Sequence, residues 1–145
     1  MRVYYAFIVN EYFANFYNTK PSALYKIFDQ IYNLSNQDVV LGYRIFEQIA
    51  IPFNKNNINE YIYSKHCGEL SYSRNLNKHI INNLYFDEQT KVTVYNSHIK
   101  IKSNINYPTI IDTLREFEDN IFICDFINKD YFWLDQIKTD NLVKS

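Results

Sequence analysis

Residues 2–17 have the sequence RVYYAFIVNEYFANFY, and the predicted fold is arranged around them. From Val3 to Val9 nearly every residue is β-branched or aromatic, which is typical of a strand buried on at least one face. From Glu11 onward the apolar residues recur at helical spacing instead. The change of period predicts a strand that passes directly into a short helix.

This helix carries two aromatic stripes. With 100° between successive residues, Tyr12 and Phe16 share one stripe, and Phe13 and Tyr17 share the stripe beside it. A short helix rarely needs both stripes to attach to a core, so one of them could serve a partner. Packing of one stripe on the sheet and the other under the next helix is the simpler alternative, and composition alone favours it.

Composition indicates one ordered domain that spans residues 1–145. The chain is 47% hydrophobic, with 14 Tyr and 11 Phe, and has only two Gly and three Pro, so no flexible linker is expected. The net charge of −1 is scattered along the chain, which argues against direct nucleic-acid binding as a primary role. Neither a signal peptide nor a membrane-spanning run is visible, and Cys67 and Cys124 form no CxxC motif. We therefore expect a reduced, cytoplasmic protein with no membrane role.

Two further helices are predicted before Pro52. The first spans residues 22–34, with Thr19 or Ser22 as its cap, and the second spans residues 37–50. Gly42 weakens the second helix by roughly 1 kcal/mol relative to Ala. Residues 53–89 are less readable, with a short helix suggested by Ile58, Tyr61 and Ile62 and a four-residue spacing at Leu76, Ile80 and Leu84.

The C-terminal part predicts two hairpins with a helix between them. The first hairpin spans Thr90–Lys102, the helix starts at Tyr107-Pro108, and the second hairpin pairs residues 121–126 with residues 131–134. Residues 139–145 are expected to fray. The fold class is therefore α+β: a mostly antiparallel sheet, built from the N-terminal strand and two C-terminal hairpins, packed with several helices in a single domain.

Catalytic and metal-binding patterns are weak. His66, His79 and His98 have no zinc-site spacing, so neither a metal nor another cofactor is expected. The remaining alternative is a small metal-dependent hydrolase that uses Asp125 with nearby acids, namely Asp112, Glu116 and Asp130. Capping and solvation explain these acids more simply, and we expect no enzymatic activity.

Two blocks of the sequence resemble the sporulation inhibitor of replication (SirA) family. The first is Tyr4-Tyr5 followed by Asn10 and then EYFANFY at residues 11–17; the second is Asp125-Phe126, an Asn/Lys turn, Trp133-Leu134 and Lys138. The resemblance implies a cytosolic inhibitor without enzymatic activity, a monomer when unbound. It would bind domain I of the replication initiator DnaA and restrain initiation at the chromosomal origin.

The resemblance also implies which residues touch DnaA. Phe13 and Tyr17 are the expected anchors, with Asn10 and Ala14 beside them, and the helix around Tyr43 and Gln48 is expected to add contacts. On this hypothesis Phe13 and Tyr17 face outward, whereas Tyr12 and Phe16 face the sheet. Phe16 departs from the family pattern, where a more polar residue is expected. The alternative from composition is a structural subunit that uses its Tyr-rich surface within a larger complex.

Overall fold

The computed structural model describes residues 1–136, which form eight strands, five α-helices and a final 3-10 turn. The strands are β1 (Arg2–Val9), β2 (Ala50–Ile51), β3 (Tyr72–Asn75), β4 (Lys78–Asn83), β5 (Glu88–Val94), β6 (Ile99–Ser103), β7 (Ile121–Asp125) and β8 (Asp130–Trp133). The α-helices are α1 (Glu11–Tyr17), α2 (Pro21–Tyr32), α3 (Val39–Ile49), α4 (Lys55–His66) and α5 (Ile110–Phe117). Residues 134–136 form the 3-10 turn. Lys138 and the expected frayed end at residues 139–145 lie outside the described residues.

All strand pairings in this part of the chain are antiparallel, and they join the strands into one sheet. Its order is β3-β4-β5-β6-β1-β7-β8, with β2 pairing separately with the end of β1. The N-terminal strand therefore lies in the interior of the sheet, with Tyr4 opposite Ile101 of β6 and Phe7 opposite Phe122 of β7. The predicted α+β class and antiparallel sheet are confirmed.

Helices cover both faces of the sheet around β1. Alternate residues Tyr4, Ala6 and Ile8 join a core with α4 and α5, whereas Phe7 and Val9 join a second core with α1, α2 and α3. Burial on two faces explains why the apolar run in β1 is nearly continuous. Because α1 begins two residues after β1, it lies on the face of the sheet that carries the second core.

One local expectation about the helices is wrong, and the structure gives a packing reason for the glycine in the other helix. α2 has no side-chain cap from Thr19 or Ser22, because it begins at Pro21, whose fixed φ suits the first helical position and whose missing N–H leaves one donor fewer to satisfy. Gly42 is buried in α3, and a Cβ added there would overlap the side chain of Leu34. The glycine that weakens the helix is thus the residue that lets Leu34 pack against it.

The segment that the sequence left unclear contains α4 and a hairpin. The helix suggested by Ile58 and Ile62 is confirmed, with Asn54 accepting a hydrogen bond from the Asn57 N–H at its start. The β3–β4 hairpin was not predicted from the sequence. Its two-residue turn is Leu76-Asn77, and Leu76 has a φ of 57°, a conformation that leucine rarely adopts, so leucine stands where glycine would signal the turn. None of the described helices is both long enough and apolar enough to cross a membrane.

A buried polar group ties this hairpin to α4. The ring of His79 is fully buried; its Nε2–H donates to Oδ1 of Asn59 at 2.8 Å, and its Nδ1 accepts from the hydroxyl of Tyr72 at 2.6 Å. Burial, with a smaller contribution from Arg74, lowers the pKa of His79 from 6.5 to about 4. Both ring nitrogens are satisfied in the neutral form, so the imidazole is held uncharged.

We predict that acid weakens the fold through His79. Between about pH 6.5 and pH 4 the unfolded chain binds a proton at this histidine and the folded chain does not, so the free energy of unfolding falls as the pH is lowered. The loss should reach roughly 3 kcal/mol at most. Urea unfolding at several pH values across this range gives the free energy of unfolding at each pH. This free energy should change more steeply with pH for the wild type than for His79→Gln. Equal slopes would contradict the assignment.

Candidate functional site

The start of α1 is fixed where β1, α1 and α3 meet. The side chain of Asn10 caps α1 by accepting from the Phe13 N–H at 3.0 Å, and its amide donates to the carbonyl of Gln48. The backbone N–H of Asn10 donates to the Ile49 carbonyl at 2.8 Å. One asparagine therefore sets the direction of α1 and holds it to the end of α3.

The far end of α1 is held by the C-terminal strand. The indole N–H of Trp133 donates to the carbonyl of Tyr17 at 3.2 Å. Gln136 donates to both the carbonyl of Asn18, at 3.2 Å, and its side-chain oxygen, at 2.6 Å. A helix of seven residues would be marginal alone, so these contacts at its two ends account for its order.

The prediction of which aromatic stripe of α1 faces the sheet and which faces outward is wrong. Tyr12 and Phe16, expected to face the sheet, are 76% and 55% exposed. Phe13 and Tyr17 are half-buried against the second core. The reason is Ala14, the only buried residue of α1, whose small side chain lets the helix approach the sheet closely.

The position of Ala14 fixes the direction of the other side chains. At 100° per residue, Tyr12 and Phe16 lie about 160° from Ala14 around the helix axis, whereas Phe13 and Tyr17 lie about 100° and 60° from it. The exposed pair that sequence reasoning missed could therefore have been found by taking alanine as the inward position.

The four rings form one connected surface, here called the α1 aromatic cluster: Tyr12, Phe13, Phe16 and Tyr17. The rings of Phe13 and Tyr17 stack with centroids 6.4 Å apart and 7° between their planes. Tyr12 meets Phe13 edge-on at 5.4 Å, and Phe16 meets Tyr17 edge-on at 4.9 Å. The cluster thus has a half-buried base and an exposed outer pair.

Tyr43 and Gln48 occupy different sides of α3. Five residues separate them, which places them about 140° apart around the helix. Gln48 meets the start of α1 through its carbonyl. Tyr43 is exposed and lines a groove of about 320 Å³ that α2 and α3 form with the sheet. Of these two candidates, Gln48 is the one in contact with the α1 site.

The acids considered for metal-dependent chemistry have other partners. Asp125 is fully buried and accepts from Arg2 at 3.0 Å and from the side chain of Asn128 at 2.8 Å. Burial would raise the pKa of Asp125, but these hydrogen bonds outweigh it and lower the pKa below 3.8. Asp130 also binds Arg2, whereas Asp112 binds Arg115 and Glu116 binds Lys65. Within residues 1–136 no three His, Cys, Asp or Glu side chains group to hold a metal ion.

We predict that Asn10→Ala lowers the free energy of unfolding by about 1–2 kcal/mol, because both the cap of α1 and the link to Gln48 are lost. Asn10→Ser keeps an oxygen that can cap the helix and should cost less. Urea unfolding of the three proteins tests this ranking. A serine variant as unstable as the alanine variant would show that the cap contributes little.

Comparison with known proteins places the chain in a family. No curated protein matches the chain. The family model described as sporulation inhibitor of replication protein SirA matches residues 2–138, which include β1, the α1 aromatic cluster and the Trp133 hairpin. Because the match spans nearly the whole sequence, the chain belongs to the SirA family of sporulation inhibitors of replication.

Proposed function

We propose that this protein, acting in the cytoplasm, restrains replication initiation by binding domain I of DnaA through the α1 aromatic cluster. The observation that carries the proposal is the arrangement of α1, which buries only Ala14 and leaves four aromatic rings together at the surface. Membership of a family of replication inhibitors makes a replication protein the expected partner. Resemblance to the family suggests DnaA domain I.

The geometry of α1 suits an anchor for a protein partner. Aromatic residues are enriched at binding hot spots, where a few side chains contribute most of the affinity. The helix is held at Asn10 and at Tyr17, so little conformational entropy would be lost when a partner binds. Tyr12 and Phe16 would enter a pocket of the partner, with Phe13 and Tyr17 supporting them and contributing their exposed edges.

Occupation of domain I explains inhibition without chemistry. When the inhibitor covers a surface of domain I, DnaA could not use that surface of domain I for self-association or for another regulator. No nucleic acid or cofactor is needed for this step.

We predict that Phe13→Ala and Tyr17→Ala each weaken binding to purified DnaA domain I by about 30-fold or more, the equivalent of about 2 kcal/mol. Isothermal titration calorimetry measures the loss. Because both rings are half-buried, circular dichroism must confirm that the variants are folded. Tyr85→Ala, at an exposed tyrosine in the β4–β5 turn, is the control and should bind normally. Undiminished affinity of the folded Phe13/Tyr17 double variant would overturn the site, and no binding by the wild type would overturn the partner.

We also predict a direct role for Phe16, where the family pattern leads one to expect a more polar residue. Phe16 is exposed, so Phe16→Gln should leave the free energy of unfolding nearly unchanged. If the ring enters the partner, the same variant should weaken binding to DnaA domain I at least several-fold. Unchanged affinity would show that Phe16 is not part of the interface, which would then involve the half-buried pair Phe13 and Tyr17.

A further inference from the structure

One half of the sheet is uncovered on the side that carries α1, α2 and α3. The buried sheet residues of the second core come from β1, β7, β8 and Phe126, which follows β7. On the same side of β4, β5 and β6 the residues Lys78, Ile80, Lys91 and Lys102 are exposed. These three strands therefore present an open face beside the helices.

Four lysines meet on this open face. Lys91 of β5 lies directly opposite Lys102 of β6. Thr93 of β5 lies between Lys78 of β4 and Lys100 of β6 and is paired with both. With Thr93 and Tyr95 they line a shallow hollow of about 190 Å³. We call this surface the lysine face.

The strands that carry these lysines contain almost no negative charge. Glu88 is the one acidic residue of strands β3–β6, and it is buried on the opposite face, where Thr90 donates to it at 2.6 Å. Among the described residues none of the four lysines forms a salt bridge. Like charges directly opposite each other destabilise a sheet, so the Lys91–Lys102 pair does not serve stability. A bound polyanion would replace the repulsion between these two lysines with attraction to its own negative charge.

Aromatic rings border the lysine face. The ring of Tyr95, 42% exposed, lies 4.8 Å from that of His98, which lies 5.5 Å from the ring of Tyr5. The ammonium of Lys100 lies 5.9 Å from the centre of the Tyr5 ring. Tyr5 and His98 also line the groove of about 320 Å³ under α2 and α3. Flat rings suited to stacking thus continue from the lysines into an apolar groove.

We propose that the lysine face and its aromatic border bind single-stranded nucleic acid. The four lysines neutralise backbone phosphates, and Tyr95 offers a ring on which a base stacks, with the groove beside it open to a further base. A single strand exposes its bases to rings such as Tyr95, whereas the bases of a duplex are stacked on one another, so this surface fits a single strand better. The aromatic border favours a nucleic acid over an acidic protein segment, which would use the lysines alone.

The site also explains why the linear sequence gave no basic signal. The four lysines are spread over residues 78–102 on three strands, and only the antiparallel pairing brings them together. The inference is independent of DnaA binding, because α1 contributes nothing to this face.

Fluorescence anisotropy with a short, labelled single-stranded oligonucleotide of mixed sequence tests the proposal. We expect Lys91→Gln/Lys102→Gln to reduce affinity at least tenfold and to flatten the dependence of log K on log salt by about 1.4, since two phosphate contacts are lost. Lys26→Gln/Arg44→Gln removes the same charge from α2 and α3 and should change affinity little. Tyr95→Ala should weaken binding about fivefold or more.

Four results would overturn the proposal. Two of them are the absence of binding by the wild type at low salt and binding by the lysine double variant that is as tight as that of the control variant. Equal or tighter binding of a duplex of the same sequence would remove the role of stacking. Stronger binding of a poly-glutamate peptide than of the oligonucleotide would assign the lysine face to an acidic protein instead. Circular dichroism of each variant shows that the fold is intact, which is expected because all the substituted side chains are at least partly exposed.

Discussion

The pairing of β1 on both of its edges is the constraint on which the structure depends. Its residues bond to β6 on one side and β7 on the other, and its two faces supply both hydrophobic cores. Arg2, at its start, binds the buried Asp125 and also Asp130, so the same strand is tied to β7 and β8 by charge. Since α1 follows β1 after one residue, this pairing also determines where the aromatic helix emerges.

Both proposed binding surfaces are parts of the fold that the two cores leave uncovered. α1 attaches through Ala14 and through hydrogen bonds at its ends, and this frees its aromatic rings from carrying the packing alone. On the face of the second core, α1, α2 and α3 cover β1 and β7 but do not extend over β4 to β6, and this leaves the lysine face open. Two surfaces of different chemistry, one aromatic and one basic, thus result from one incomplete helical layer.

Periodicity predicted most elements, because β1, α1 to α3 and the two C-terminal hairpins have clear apolar patterns. It failed at the β3–β4 hairpin, where exposed Asn-rich strands and a turn at Leu76 give no such pattern. It placed both aromatic stripes on α1 but chose the wrong inward pair, since residue size at Ala14 and not apolarity decides which side approaches the sheet. The lysine face was not predicted, because Lys78 reaches it through β4, a strand that showed no readable pattern, and because the helical layer that leaves the face open is not visible in a single sequence.

Hydrogen–deuterium exchange of the whole protein, with and without DnaA domain I, tests whether α1 is the binding surface. We expect added protection in peptides that cover residues 10–17 and at the end of α3 near Gln48, with no change in β4 to β6. Added protection confined to other parts of the chain, with exchange in residues 10–17 unchanged, would contradict it.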